Sequence, residues 1–153
     1  TRLISGTPLD CYSCLIRRGT IAALSGNHTA AEKWFQTASD LAPSLPHASQ
    51  AWGRARLNRG DPKGALAQFR IAASRAPNWA DPIAWQGQAL ARQGKHAAAI
   101  QQYRRACLTA PKWGRLHLLW SHSLSSMGRV AEAHEHADLA RRYGLSNLDR
   151  VGR

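Results

Sequence analysis

The apolar positions Ala31, Trp34, Phe35, Ala38 and Leu41 return every three or four residues and mark one helix over about 28–41. The set comes back further along. Leu66, Phe69, Ala72 and Ala73 predict a helix over about 62–75, and Ala99, Ile100, Tyr103 and Ala106 one over about 96–109. A companion helix precedes each of these. The first, about 10–25, carries Cys14, Leu15, Ile21, Ala22 and Leu24; the next, about 46–59, carries Trp52 and Ala55; the third, about 80–93, carries Ile83, Trp85 and Leu90. A fourth pair over about 114–127 and 130–143 has Leu116, Leu119, Trp120, Leu124, Val130, Ala133, Ala137 and Ala140 as its apolar set. The expectation is an all-α chain of about eight helices in pairs.

The pairs keep one spacing. Pro43, Pro77 and Pro111 stand 34 residues apart and then 34 again. Twelve residues before each stands Ala31, Ala65 or Ala99; eight before, Phe35, Phe69 or Tyr103; five before, Ala38, Ala72 or Ala106. Gly26, Gly60 and Gly94 lie seventeen before, and Gly19, Gly53 and Gly87 twenty-four before. Six features in three windows define a helix–turn–helix repeat array. Each glycine between helices suits the left-handed end conformation. Asp61-Pro62 suits a helix start, with Asp as N-cap and Pro at the first position. Each recurring proline ends the second helix, because it cannot continue the hydrogen-bond ladder. Small residues let paired helices approach, and the aromatic is expected to fill the gap to the next repeat. One such pair cannot bury its own apolar face, so the pairs must stack.

This pattern resembles the tetratricopeptide repeat (TPR), with its small residue, Ala, aromatic, Ala and Pro in register over residues 12–147. The resemblance implies an alpha-alpha superhelix, a TPR solenoid, with windows 12–45, 46–79, 80–113 and 114–147 between a lead-in (1–11) and a tail (148–153). The fourth window departs from the pattern. Ser121 replaces the glycine, Ala137 the aromatic and Leu145 the proline, while Gly128, Ala133 and Ala140 stay in register. Polar Glu132, His134, Glu135, His136 and Asp138 surround Ala137, as suits a terminal, solvent-facing repeat.

Charge adds a surface to the picture. The net charge is +12, and the excess sits in the middle windows: six Lys/Arg against one acid in 46–79, five against one in 80–113. A basic band attracts acidic protein segments, nucleic acid or an anionic surface. Arg56 stands where a large apolar residue is usual, so its stem must snorkel along the helix pair or its head must meet an acid. No run of 18 apolar residues is present, so no transmembrane segment is expected. The chain opens on Thr rather than Met, as a processed product or an excerpt would; its compartment stays open.

Catalytic patterns are scarce. The chain has no Gly-Lys-Ser/Thr phosphate loop, no HExxH and no Gly-x-Ser-x-Gly, and its nine acids are mostly single, so no enzymatic role and no cofactor is expected. Three cysteines, Cys11, Cys14 and Cys107, argue against a disulfide framework. Cys11-Tyr-Ser-Cys14 lacks the further ligands of a metal site and the strand–helix context of a redox motif. Cys14 is expected to pack inside, with Cys11 near a helix start capped by Asp10. His134 and His136 point about 200° apart on a helix, and His117 and His122 also diverge, so neither pair can share a metal.

That leaves surfaces. In TPR arrays the first helices line a concave groove, and the resemblance maps groove positions onto Ser13, Ile16, Thr20, Ala23 and Leu24 of the first repeat. It also maps Gln50, Arg54 and Asn58, then Gln88 and Arg92, then Arg115 and His122. Gln50, Asn58 and Gln88 can bond an extended backbone; Arg54, Arg92 and Arg115 can fork onto carboxylates. The implied role is a protein–protein interaction scaffold that binds an extended, acidic partner segment or docks on a subunit of a larger complex. The clamp that grips acidic chaperone tails is absent, since Ile16, Thr20 and Ala51 stand at its positions. An alternative surface is basic: Lys63, Arg70, Arg75, Lys95, Arg104 and Arg105 on the second helices could meet nucleic acid phosphates.

Overall fold

The computed structural model describes residues 11–144, and those residues form eight α-helices. Two compact units divide the chain, Thr1–Pro77 and Asn78–Arg153. The first holds α1 (Tyr12–Leu24), α2 (His28–Leu41), α3 (His47–Asn58) and α4 (Pro62–Arg75). The second holds α5 (Ala80–Arg92), α6 (His96–Thr109), α7 (Gly114–Ser126) and α8 (Val130–Tyr143). All four second helices match the sequence expectation, and the first helices are one to three residues shorter in total. The expected lead-in, apart from Cys11, and the tail lie outside the described residues.

Local chemistry sets these boundaries. Gly26, Gly60, Gly94 and Gly128 follow the first helices with φ between +75° and +87°, a region where a Cβ is strained. The Asp61 carboxylate accepts the Gly64 N–H at 2.9 Å, and Pro62 starts α4. Asn27 caps α2 by accepting the Ala30 N–H at 3.1 Å. Cys11, rather than Asp10, caps α1: its Sγ accepts the Cys14 N–H at 3.0 Å.

In each of the first three repeats the aromatic of the second helix lies against the glycine of the first. A Cβ added at Gly19 would stand 2.7 Å from the Phe35 ring, and one at Gly53 would stand 2.5 Å from Phe69; Gly87 meets Tyr103 in the same way. The ring therefore fills the gap within its own repeat. Phe35 also reaches the next one, with its centroid 6.3 Å from that of Trp52. Repeat four shows the converse: Ala137 supplies no ring, a Cβ is tolerated at 121, and the Ser121 hydroxyl donates to the Ala133 carbonyl at 2.7 Å.

Within the first unit, Leu15, Ala38 and Ala48 form one apolar cluster and Ala31, Phe35 and Trp52 another. In the second, Ile100, Leu124 and Ala133 pack with Trp120. Four residues expected in the core are exposed instead: Ile21 (59%), Leu24 (79%), Leu41 (52%) and Val130 (54%). Ile21 borders a shallow hollow with Arg18 and Trp34, on a side of α1 and α2 that no earlier described helix covers. Leu24 opens into the cavity described below. The cysteines also depart from expectation, because Cys11 and Cys14 are joined by a disulfide.

Candidate functional site

A concavity of the first unit lies between α1 and α3. It has a volume of about 430 Å³. Ala23, Leu24, Ala51 and Ala55 form an apolar floor, and Thr20, His28, Arg54, Asn58 and Arg59 ring it. No carboxylate lines it. The helical period explains the grouping: Thr20, Ala23 and Leu24 lie on one face of α1, and Ala51, Arg54, Ala55 and Asn58 on one face of α3.

The second unit repeats this construction between α5 and α7, with a volume of about 210 Å³. Eight of the nine lining positions recur two repeats further on, all but Arg59. Thr20 becomes Gln88, Leu24 becomes Arg92, His28 becomes His96, Ala51 becomes Leu119, Arg54 becomes His122 and Asn58 becomes Ser126. The lining thus recurs in position and changes in chemistry: Arg54 and Arg59 both border the first hollow, whereas Arg92 stands with His96 and His122 at the second. The Tyr103 ring backs the second hollow. Burial pushes its hydroxyl up to about 12, against a smaller opposing effect of its bond to Ser123, so it stays neutral. The Gln88 amide oxygen is buried there with no hydrogen-bond partner among the described residues.

Beneath the first concavity sits a charged network. Glu32 on α2 accepts bonds from Arg56 Nε at 3.0 Å, Arg56 Nη2 at 2.7 Å and Trp52 Nε1 at 2.7 Å. Arg59 adds an ion pair at 3.2 Å. The Arg56 guanidinium lies 4.8 Å over the Trp52 ring. Partial burial pushes the Glu32 carboxyl up, but the bonds from Arg56 and Trp52 and the charges of Arg56 and Arg59 outweigh it and hold the pKa below the ordinary range. Of the two roles open to Arg56, meeting an acid is the one observed.

The sequence-mapped groove residues separate into groups. Arg54 and Asn58 are exposed on the first concavity; Gln88, Arg92 and His122 line the second. Gln50 is only 6% exposed, and the half-buried Arg115 holds its guanidinium 5.3 Å over the Trp85 ring. Lys63 and Arg70 are exposed on α4, and Arg104 and Arg105 on α6, where Arg105 donates to Gln102 at 2.9 Å. Arg75 is occupied, donating to the Leu45 carbonyl and the Ser49 hydroxyl, both at 3.2 Å.

Sequence spacing missed one cluster. The Nδ1 atoms of His117 and His136 approach to 3.0 Å across α7 and α8, and His117 Nε2 donates to the Pro111 carbonyl at 2.8 Å. The His136 ring stacks on Trp120 at 4.0 Å. Burial first, and the charge of His117 second, lower the pKa of His136, with Glu132 opposing. Only a pairing across two helices could have revealed this. Among the described residues no group of three or more His, Cys, Asp or Glu could hold a metal ion, and no helix is long and apolar enough to cross a membrane.

Known proteins bear on this geometry. Residues 51–114 match the family model for the tetratricopeptide repeat. The chain is similar to a crystal structure of MamA, with TM-score 0.76 and 16% identity over 99% of this chain and 86% of that one. A second MamA structure gives TM-score 0.74 and 18% identity over 88% and 73%. A structure of pilF from Pseudomonas aeruginosa gives TM-score 0.77 and 12% identity over 90% and 63%. No curated protein sequence matches. At these identities the likeness shows the fold, the all-α superhelix class of helix–turn–helix repeats.

Proposed function

We propose, on the premise that the chain is a tetratricopeptide-repeat protein and so a protein–protein interaction scaffold, that its first unit grips an extended acidic segment of a partner in the α1–α3 concavity. The carrying observation is the composition of that concavity, an apolar floor ringed by Arg54, Arg59 and Asn58 with no carboxylate in its lining. An extended segment alternates its side chains. One apolar side chain fits over Ala23, Leu24 and Ala55, the segment's backbone meets the Asn58 amide, and a carboxylate two residues along meets Arg54. Exposed Leu24 gives this arrangement an apolar gain that charge alone would lack. Gln88, Arg92 and His122 line the separate hollow of the second unit, a candidate contact in its own right. Gln50 and Arg115, more enclosed, are weaker members of the set.

The test begins with displayed ten-residue peptides selected on the whole chain, followed by fluorescence anisotropy on the enriched ones. Enriched peptides should combine Asp or Glu with one large apolar residue. Arg54→Glu should weaken their binding by about tenfold or more, the scale of losing a well-placed charge pair. Enrichment without acidic residues, or equal affinity for Arg54→Glu, contradicts the reading. Exposure of Lys63, Arg70, Arg104 and Arg105 favours one other reading, binding of nucleic acid phosphates. It requires affinity for a mixed-sequence oligonucleotide that falls steeply with salt and with loss of Arg70 and Arg104.

A further inference from the structure

The Cys11-Tyr-Ser-Cys14 stretch has no part in the groove reading, yet its two cysteines are bonded and Cys11 is the N-cap of α1. We propose that this bond is a reversible thiol–disulfide exchange site, with Cys11 as the sulfur that leaves and returns as thiolate. Two independent features support this. The first is the bonded pair itself, two residues of spacer apart, which one incoming thiol can open and the neighbouring cysteine can close again. The second is the surroundings of Cys11 Sγ. It already accepts the Cys14 N–H at 3.0 Å, sits where the unpaired N–H groups of a 13-residue helix converge, and has no acidic side chain in that first turn to oppose a negative charge. A thiolate formed there is stabilised, and a stabilised thiolate is the better leaving group.

The fold does not depend on the cross-link. The disulfide joins residues only three apart, the loop size at which a cross-link restricts the unfolded chain least. Between the cysteines, the Tyr12 hydroxyl accepts the Ala48 N–H at 2.8 Å, a donor at the start of α3 that no side-chain cap serves, since Pro46 is the N-cap there. Tyr12, rather than the sulfur pair, ties α1 to α3. The motif can therefore change redox state while the helix pair stays docked.

The exchange takes its electrons from a thiol such as glutathione. A thiolate attacks Cys14 Sγ, the Cys11–Cys14 bond breaks and its electron pair leaves on Cys11 Sγ. A second thiolate then displaces the mixed disulfide, and Cys14 takes up a proton. Two thiols are oxidised to one external disulfide as one protein disulfide is reduced to a dithiol, and the reverse sequence restores the bond. Half-buried Cys107, whose thiol burial pushes up, serves as an internal control.

Two measurements on the full chain test this. In the first, wild-type protein is equilibrated with glutathione at graded reduced-to-oxidised ratios, quenched by alkylation and weighed intact. The Cys11–Cys14 pair should pass reversibly from disulfide to dithiol within the range of ratios used; a pair that stays oxidised, or stays reduced, throughout overturns the proposal. In the second, the Cys14→Ser variant, checked for helicity by circular dichroism, is treated with iodoacetamide at pH 7. Cys11 should be alkylated at least about tenfold faster than Cys107 and than a cysteine in an unstructured peptide. A Cys11 rate equal to that of the peptide overturns the assignment of Cys11 as the stabilised thiolate. If the variant does not fold, the glutathione titration alone decides.

Discussion

Glu32 and Arg56 form a two-point ion pair across the first two repeats, with Arg56 Nε and Nη2 donating to the two carboxylate oxygens at 3.0 and 2.7 Å. The pair explains why a charged residue stands at an apolar position of α3. Trp52 donates to the same carboxylate and lies under the same guanidinium, so both charges are satisfied at a partly buried site. Removing one partner leaves the other desolvated without compensation.

Glu32→Ala is therefore expected to destabilise the fold by about 2 kcal/mol, the range for losing charged hydrogen bonds at a half-enclosed site. The pair also sets an acid limit. The folded pKa of Glu32 lies below its unfolded value of 4.5, so its contribution is complete above pH 4.5 and lost as pH falls through the folded value. Urea melts at stepped pH should show this loss in the wild type and a shallower one in Glu32→Gln. Equal acid sensitivity would refute the role given to the pair.

Glycine and aromatic should behave as one unit in repeats one to three. Alanine is the better helix former by about 1 kcal/mol. Gly87→Ala is nevertheless expected to cost about 1–3 kcal/mol, because the new Cβ strikes the Tyr103 ring, which is walled in. In Gly87→Ala/Tyr103→Leu the loss should be smaller than the sum of the single losses, as measured by a double-mutant cycle on thermal melts. Strict additivity would show that the ring is not what excludes a Cβ.

The terminal hairpin should carry its own pH response. His136 has a folded pKa below its unfolded value of 6.5, so it stabilises fully above 6.5 and the contribution is lost as pH falls through the folded value. Each histidine presents Nδ1 to the other, so one proton fits between them and a second does not. His136→Asn keeps a donor and removes the titration. Its stability should fall less with acid than that of the wild type, as read by chemical denaturation between pH 7 and 5. An unchanged slope would place the titration elsewhere.

Leu24→Asp separates binding from folding. Leu24 is 79% exposed, so the substitution should leave the melting temperature within about 1 °C, as for surface changes generally. It should weaken peptide binding by about tenfold or more, since it puts a like charge beside an acidic ligand and removes floor area. A large loss of stability would mean that Leu24 holds the hairpin together.

How much of this was legible follows from what each residue needs. Pro43, Pro77 and Pro111 act on their own helix ends, and Gly26, Gly60 and Gly94 on their own backbone, so the 34-residue spacing exposes repeat and boundary together. The match of Gly53 to Phe69 is visible as co-occurrence, but that the ring fills its own repeat is a matter of direction, which spacing does not carry. Arg56 announced itself as an anomaly, while its partner Glu32, 24 residues earlier, carried no signal of its own. His117 and His136 have no histidine partner at helical spacing on their own helices and meet across two. Ile21 and Leu24 look like core by type alone; their exposure depends on what lies beyond the first helix pair.

The central claim is that the α1–α3 concavity is the place of binding. The most direct measurement is amide chemical-shift mapping on the isotopically labelled chain as a selected acidic–apolar peptide is added. The account predicts the largest shifts at Thr20, Ala23, Leu24, Arg54, Ala55 and Asn58, abolished together in Arg54→Glu. Shifts centred instead on Lys63 and Arg70 of α4 or on Arg104 and Arg105 of α6, with the concavity silent, would contradict it.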